Sequence, residues 1–406
     1  MNLPQALQIL IVTHHERSGD GEYPRPNDYI ETIHDSFFKQ DNNPLIKALS
    51  LVDEQGTGAS VKRYYMKGGF PPPFAEDALA NAAHTIVVLF VTPAWISDPD
   101  AITWAKTIAS SISKSGGIHS LVILGTSEET LSALRANSKG TALEIVQSWS
   151  VEKLGEYALR PLYAALFVLN RAHRLVAKSE KAKLPPKAVL FISHAKLDGL
   201  PLAQALSHLI SQFPWLDQFY DARDIQSGDD FREILEHGVL NSMLIILRTD
   251  IYDLRFWCRQ EVMWAEANDR PALLVDARTE LSSRPSSLGF TGIPSVRIPD
   301  GNLVRILIEG IREWVRIAVL YSRYQTAINM PTLPHCELLS RQPSLISLAE
   351  AVERLKSKAT ELDNVLVIHA DPPLESTFQK AAQLLLKSAF PKGSVLSFKT
   401  FLSQLP

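Results

Sequence analysis

A chain of 406 residues is long enough for two to three domains. Its net charge of −3 excludes a general attraction to nucleic acid or anionic membranes. Its two cysteines, Cys258 and Cys336, exclude a disulfide framework and fit a reducing compartment. No apolar run approaches the roughly 18–20 residues of a membrane helix. The start, MNLPQALQILIVTHHE, lacks the basic region and cleavage site of a signal peptide. These features together predict a soluble cytoplasmic protein.

In chain order, Leu7–Thr13 reads as a first strand, His14–Asn27 as a loop and Tyr29–Lys39 as a helix. Ser60–Met66 alternates as a short strand. Gly68, Gly69 and Pro71–Pro73 break the chain, and Phe74–Ala83 has helical spacing. Thr85–Thr92 and His119–Gly125 read as buried strands around a helix at Ala101–Lys114. A long helical pattern runs from Glu152 to Lys178. The Lys- and Pro-containing stretch 177–187 then reads as a linker.

Three apolar runs follow, each feeding a loop and a helical pattern: Val189–Ser193, Gln218–Tyr220 and Met243–Arg248. The helices are expected at Leu200–Gln212, Asp230–Leu240 and Trp257–Asn268. Strands at Arg270–Ala277 and Ser295–Ile298 and a helix at Leu303–Tyr324 complete the unit. Strand–loop–helix repetition of this kind predicts a parallel sheet with helices on both faces. Beyond Pro331 and Pro334, the helices Ser344–Ala359 and Glu375–Ser388 flank a strand at Asn364–His369, with Ser394–Lys399 as a further strand. This reads as one βαβ unit of a small third module.

In a parallel sheet, ligands sit outside the carboxyl ends of the strands. The loops there carry Ser193, His194, Asp221, Asp224 and the segment WCRQE ending at Glu261. Glu261 has two readings. It is a carboxylate turned into the cleft, able to stabilise developing positive charge, or a surface acid in a first helical turn, favoured by the helix dipole. Ser193 and His194 with Asp221 or Asp224 do not make a hydrolase triad, because the G-x-S-x-G elbow is missing. His14 and His15 read as loop residues. Gly228 in DARDIQSGDDF permits a turn, and Asp229 or Asp230 can cap the next helix. The sequence contains no Walker A sequence, C-x-x-C or H-E-x-x-H. A loose internal echo aligns Trp104 with Trp257, which sets Ala105 opposite Cys258 and Ile108 opposite Glu261.

Three blocks, LFISHAKLDG, FYDARDIQSGDDFREILEHGV and LRTDIYDLRFWCRQEVMWA, resemble the Toll/interleukin-receptor (TIR) domain in its bacterial form. The resemblance covers residues 188 to about 320. It implies a flavodoxin-like, five-stranded parallel α/β fold at 188–325, a degenerate TIR-like or Rossmann-like α/β domain at 1–176, and a C-terminal α/β module at 326–406. Many bacterial relatives act in anti-phage immunity by cleaving NAD+ between nicotinamide and ribose, giving ADP-ribose or a cyclic product. The resemblance therefore implies an NAD glycohydrolase with Glu261 as its catalytic residue. NAD+ would be the substrate, with no cofactor and no metal. Ser193, His194, Lys196, Asp221, Trp257 and Cys258 would surround it. The segment Asp224, Ile225, Gln226, Ser227, Gly228, Asp229 and Asp230 matches the BB loop, which implies activity gated by TIR–TIR self-assembly. The flanking domains would receive an activating ligand or a partner protein. No membrane or direct nucleic-acid contact is expected. A non-catalytic TIR scaffold is the alternative, and a TIR enzyme making a cyclic nucleotide messenger a third reading.

Overall fold

The computed structural model describes residues 5–14, 26–37, 58–66, 79, 81–177, 187–219, 231–279, 292–297, 301–328, 335–358 and 365–405. These residues form an α/β protein with three all-parallel sheets of five, five and three strands. The described residues up to Ala177 belong to one compact unit and those from Lys187 onward to a second. No helix among them is long and apolar enough to cross a membrane.

The first unit runs β1 (Gln5–His14), α1 (Pro26–Phe37), β2 (Ser60–Met66), β3 (Ala82–Val91), α2 (Pro93–Ile96), α3 (Pro99–Lys114), β4 (Ser120–Gly125), α4 (Glu128–Asn137), β5 (Ser148–Ser150) and α5 (Arg160–Val176). Its sheet order is β2-β1-β3-β4-β5. β1 and β3 are buried on both faces, as continuous apolar runs in a covered parallel sheet must be. Asp98 starts α3 by accepting from the amides of Asp100 at 2.9 Å and Ala101 at 3.3 Å, and Pro99 takes the first helical position. Two expectations change here. The pattern from Glu152 to Lys178 is not one helix. Single 3-10 turns at Val151–Lys153 and Tyr157–Leu159 flank Gly155, whose φ is +54°, and the helix begins only at Arg160. Ala82 and Ala83, read as the end of a helix, open β3. Helix α4, capped by Ser127, and strand β5 were not anticipated. Gly68, Gly69, Pro71–Pro73, His15 and the linker residues 178–186 lie outside the described residues.

The second unit begins with β6 (Ala188–His194), α6 (Leu200–Ser211), β7 (Leu216–Phe219), α7 (Phe231–Leu240), β8 (Met243–Arg248), α8 (Phe256–Ala267), β9 (Ala272–Asp276), β10 (Ser295–Arg297) and α9 (Leu303–Ile328). The sheet order β10-β9-β8-β6-β7 is 2-1-3-4-5 when its strands are counted along the chain. The direction of winding reverses between β6 and β8, which opens a crevice at their carboxyl ends. Helices α7 and α8 share a core with β6 and β8 on one face through Leu235, Val239, Phe191, Leu244 and Ile246. On the other face α9 packs so closely that the position of a Cβ on Gly310 lies 3.1 Å from Ile245.

Helix α9 continues past Tyr324 to Ile328. There Tyr324 and Ala327 join the core of a third sheet, β11 (His335–Leu339), β12 (Val365–His369) and β13 (Ser394–Ser397). The connecting helices are α10 (Leu345–Lys358) and α11 (Ser376–Ala389), and α12 (Phe398–Ser403) closes the described chain. The segment therefore holds two consecutive βαβ units where one was expected. His335–Leu339 was missed because its short run mixes His and Glu with apolar residues. The strand expected to Lys399 stops at Ser397, whose hydroxyl accepts from the Thr400 amide at 3.3 Å to cap α12. Pro331 and Pro334 lie outside the described residues.

The third sheet holds the far end of α8. Asp269, at φ +50°, accepts from the Ser340 amide at 2.6 Å, the Ser340 hydroxyl at 3.0 Å and the Tyr321 hydroxyl at 3.0 Å. Arg354 donates to the Ala267 carbonyl at 2.9 Å and to Glu337 at 2.6 Å, and Arg341 donates to the Arg270 carbonyl. Asp269→Ala removes the acceptor of three donors and puts a Cβ-bearing residue without a local hydrogen bond in a left-handed turn. We expect a loss of about 3 kcal/mol in urea unfolding, and Asp269→Asn to recover part of it.

Glu266 is buried beside this contact. Burial pushes its carboxyl up to about 7, against the opposing pull of Arg341 and Ser344. Between the ordinary value of 4.5 and about 7, the folded protein keeps a proton that the unfolded chain has released. Stability therefore falls as pH rises through that window. Urea midpoints at pH 5 and pH 8 should differ less in Glu266→Gln than in the natural sequence.

Candidate active site

Residues Cys258, Glu261, Val262 and Ala265 recur along α8 at the spacing of its buried stripe. Three of the four belong to the core against the sheet. Glu261 occupies the remaining place, where an apolar side chain would ordinarily sit, and is 7 % exposed. It lies in the second turn of α8. The surface, first-turn reading of this acid is therefore overturned. A buried carboxylate needs donors, and β6 supplies one. Strand alternation puts Ser193 on the same face as Phe191, toward α8. Its hydroxyl donates to Glu261 Oε2.

A second hydroxyl completes the group. Tyr252 sits in a 3-10 turn, Tyr252–Leu254, directly after β8. It is fully buried, with its hydroxyl 2.5 Å from Ser193 Oγ and 3.3 Å from the Cys258 carbonyl. Burial first, then the charges of Glu261 and Cys258, hold its phenol well above the ordinary tyrosine range. It is thus a neutral donor at physiological pH. The Cys258 thiol donates to the His194 carbonyl at 3.5 Å, which ties α8 to the end of β6.

The surrounding loops are cross-linked. Asp198, after β6, accepts from Thr249 Oγ1 at 2.7 Å and the Ile251 amide at 3.1 Å. Arg248, at the end of β8, forms an ion pair with Asp253 at 2.5 Å. Asp250 accepts from Thr279 Oγ1 at 2.5 Å, joining the loops after β8 and β9. The rim is thus cross-linked by half-buried and exposed polar contacts.

Of the residues expected around this crevice, Ser193 is committed to Glu261, and His194 is buried beside it. Cys258 is buried in the core behind it. Lys196 is exposed on the loop after β6. Trp257 is 36 % exposed and packs its ring on Phe231, Phe256 and Trp264 at centroid distances of 5.0, 5.2 and 6.4 Å. Asp221, Asp224, Ile225, Gln226, Ser227, Gly228, Asp229 and Asp230 lie outside the described residues. Sequence reasoning missed Tyr252 and Asp198. Tyr252 precedes Glu261 by nine positions in the chain, a spacing with no meaning until the 3-10 turn folds back over α8.

The first unit repeats the strand order around β1 and β3, and α3 is the counterpart of α8. Thr13 stands near the end of β1 and donates to the Phe90 carbonyl at 3.1 Å. His14 meets Asp98 at 3.2 Å, a carboxylate that nearness in sequence did not reveal. Trp95, buried in α2, lies 6.2 Å from the ring of Trp104. The buried face of α3 consists of Ala101, Ile102, Trp104, Ala105, Ile108, Ala109 and Ile112. An alignment of α3 on α8 that matches their buried faces therefore gives an apolar residue opposite Glu261. Ile108→Glu would put a carboxylate into that core without a donor. We expect a loss of about 3 kcal/mol or more in thermal or urea unfolding, against less than about 1.5 kcal/mol for Ile108→Leu.

The sequence matches no family model and no curated protein.

Proposed function

We propose that residues 188–325 are a TIR domain of the bacterial, flavodoxin-like kind, and that it cleaves NAD+ at the nicotinamide–ribose bond. The observation that carries this reading is the Glu261 carboxylate, buried in the stripe of α8 and hydrogen-bonded by Ser193 at the winding reversal of the sheet. The W-C-x-x-E context of that acid supports it further. A scaffold has no need to keep a carboxylate in a core position at the cost of burial.

The chemistry follows from charge. Departure of neutral nicotinamide leaves oxocarbenium-like positive charge on the ribose. A fixed carboxylate at Glu261 stabilises that charge without reorganising. Water attack at the ribose carbon then gives ADP-ribose and a proton, and internal attack by the adenine gives a cyclic product. Nicotinamide is a good leaving group, so a strong general acid is unnecessary. Trp257 and Lys196 stand at the rim for contact with the dinucleotide. The resemblance extends the reading to a cytoplasmic enzyme of anti-phage defence, gated by assembly through the 224–230 segment, with the flanking domains as receivers of the trigger.

The test is incubation of the purified chain with NAD+ over a range of protein concentrations, beside Glu261→Ala and Glu261→Gln. Release of nicotinamide should rise more than linearly with concentration and fall by about 10² or more in both variants. Equal NAD+ loss in all three proteins would remove Glu261 from catalysis.

A further inference from the structure

The hydroxyls of Ser193 and Tyr252 form a chain whose direction is set by simple counting. An ionised carboxylate only accepts. Ser193 has one hydroxyl hydrogen, and Glu261 Oε2 takes it. The contact of 2.5 Å between Ser193 Oγ and the Tyr252 hydroxyl must then run from tyrosine to serine. A protonated Glu261 reverses every bond. Its O–H donates to Ser193, Ser193 donates to Tyr252, and the Tyr252 hydrogen turns to the Cys258 carbonyl, 3.3 Å away. All three groups stay satisfied in either state and no proton leaves the chain. The longer last contact makes the protonated arrangement the weaker one.

We infer that Ser193 and Tyr252 are a two-way hydrogen-bond relay that holds the Glu261 carboxyl in one place in both of its protonation states, with Tyr252 a positioning residue that acts through Ser193. Charge-assisted bonds are the stronger ones, and each polarises the next. The relay therefore favours the carboxylate, the form that can stabilise a cation. Among the described residues, His194 is a buried titratable neighbour of Ser193 on β6. Cys258 on α8 is engaged with the His194 carbonyl, and Arg248 and Asp253 beside Tyr252 neutralise each other. α7 adds Leu235, Val239 and the half-buried Phe231 to the core it shares with α8, and its sequence also carries Arg232, Glu233, Glu236 and His237. In β1 a hydroxyl residue, Thr13, likewise precedes the final histidine of the strand, as Ser193 precedes His194 in β6.

The inference rests on the proposed catalytic role of Glu261 only for its effect on rate, so the primary readout is independent of NAD+. The full chain carrying carboxyl-13C glutamate is titrated by NMR, and the Glu261 resonance is identified by its loss in Glu261→Gln. Ser193→Ala should raise the Glu261 midpoint by about one to two pH units, the equivalent of one lost charge-assisted hydrogen bond. Tyr252→Phe, which removes a single oxygen, should raise it by a smaller but measurable amount. Ser193→Thr should restore the natural value. An unmoved midpoint in both Ser193→Ala and Tyr252→Phe overturns the relay. A shift in Ser193→Ala alone overturns the part assigned to Tyr252. Where NAD+ is cleaved, the acid limb of kcat should follow the same shifts, with KM within about twofold. Shifted midpoints beside NAD+ loss that is unchanged in Glu261→Gln would keep the relay and reject the proposed catalytic role of Glu261.

Discussion

A carboxylate in a core stripe is tolerated only when its hydrogen bonds are made inside the protein. For Glu261 that condition ties together elements far apart in sequence. Ser193 reaches it from β6, Tyr252 supports Ser193 from the turn after β8, and the Cys258 thiol fixes α8 to the end of β6. These contacts exist only if β6 and β8 are neighbours in register, Ser193 beside Ile246. The strand order and the acid thus depend on each other. With the order 2-1-3-4-5 the acid has its donors. A sheet that separated β6 from β8 would leave it buried and unsatisfied.

The repeated fold of the first unit makes the same point by contrast. It has the same strand order and a helix in the same place, yet the corresponding positions are Thr13, Trp95 and the apolar buried face of α3. Its core fills the volume with indole and aliphatic carbon. The sheet architecture is indifferent to whether a functional group is present. Among the described residues, the polar trio stands in the second unit.

Much of the framework was legible in the sequence because long apolar runs have one physical outcome. Residues 86–91 and 243–247 are wholly apolar and lie in central strands. The helix expected from Ala101 begins two residues earlier, at Pro99, where the Asp98 side chain caps it. Failures occurred where tertiary contact decides. His335–Leu339 pairs as a strand although Glu337 interrupts its apolar pattern, because Arg354 and Lys358 neutralise that carboxylate. Gly155 and Pro161 divide what looked like one helix. In the site, the WCRQE segment pointed to Glu261, and a place at the carboxyl end of a strand pointed to Ser193. Tyr252 was invisible, since a tyrosine between Ile251 and Asp253 carries no sign of burial until the loops close.

The contact between Asp269 and Ser340 spans 71 residues of chain. A ribosome that has just released α8 has made none of that contact. The helix bearing Glu261 lacks the anchor at its carboxyl-terminal end until β11 emerges and pairs. Domains generally fold as units during synthesis, the N-terminal parts first. Here the last turn of α8 is an exception to that order, and the crevice reaches its final geometry only when the chain beyond it has been made.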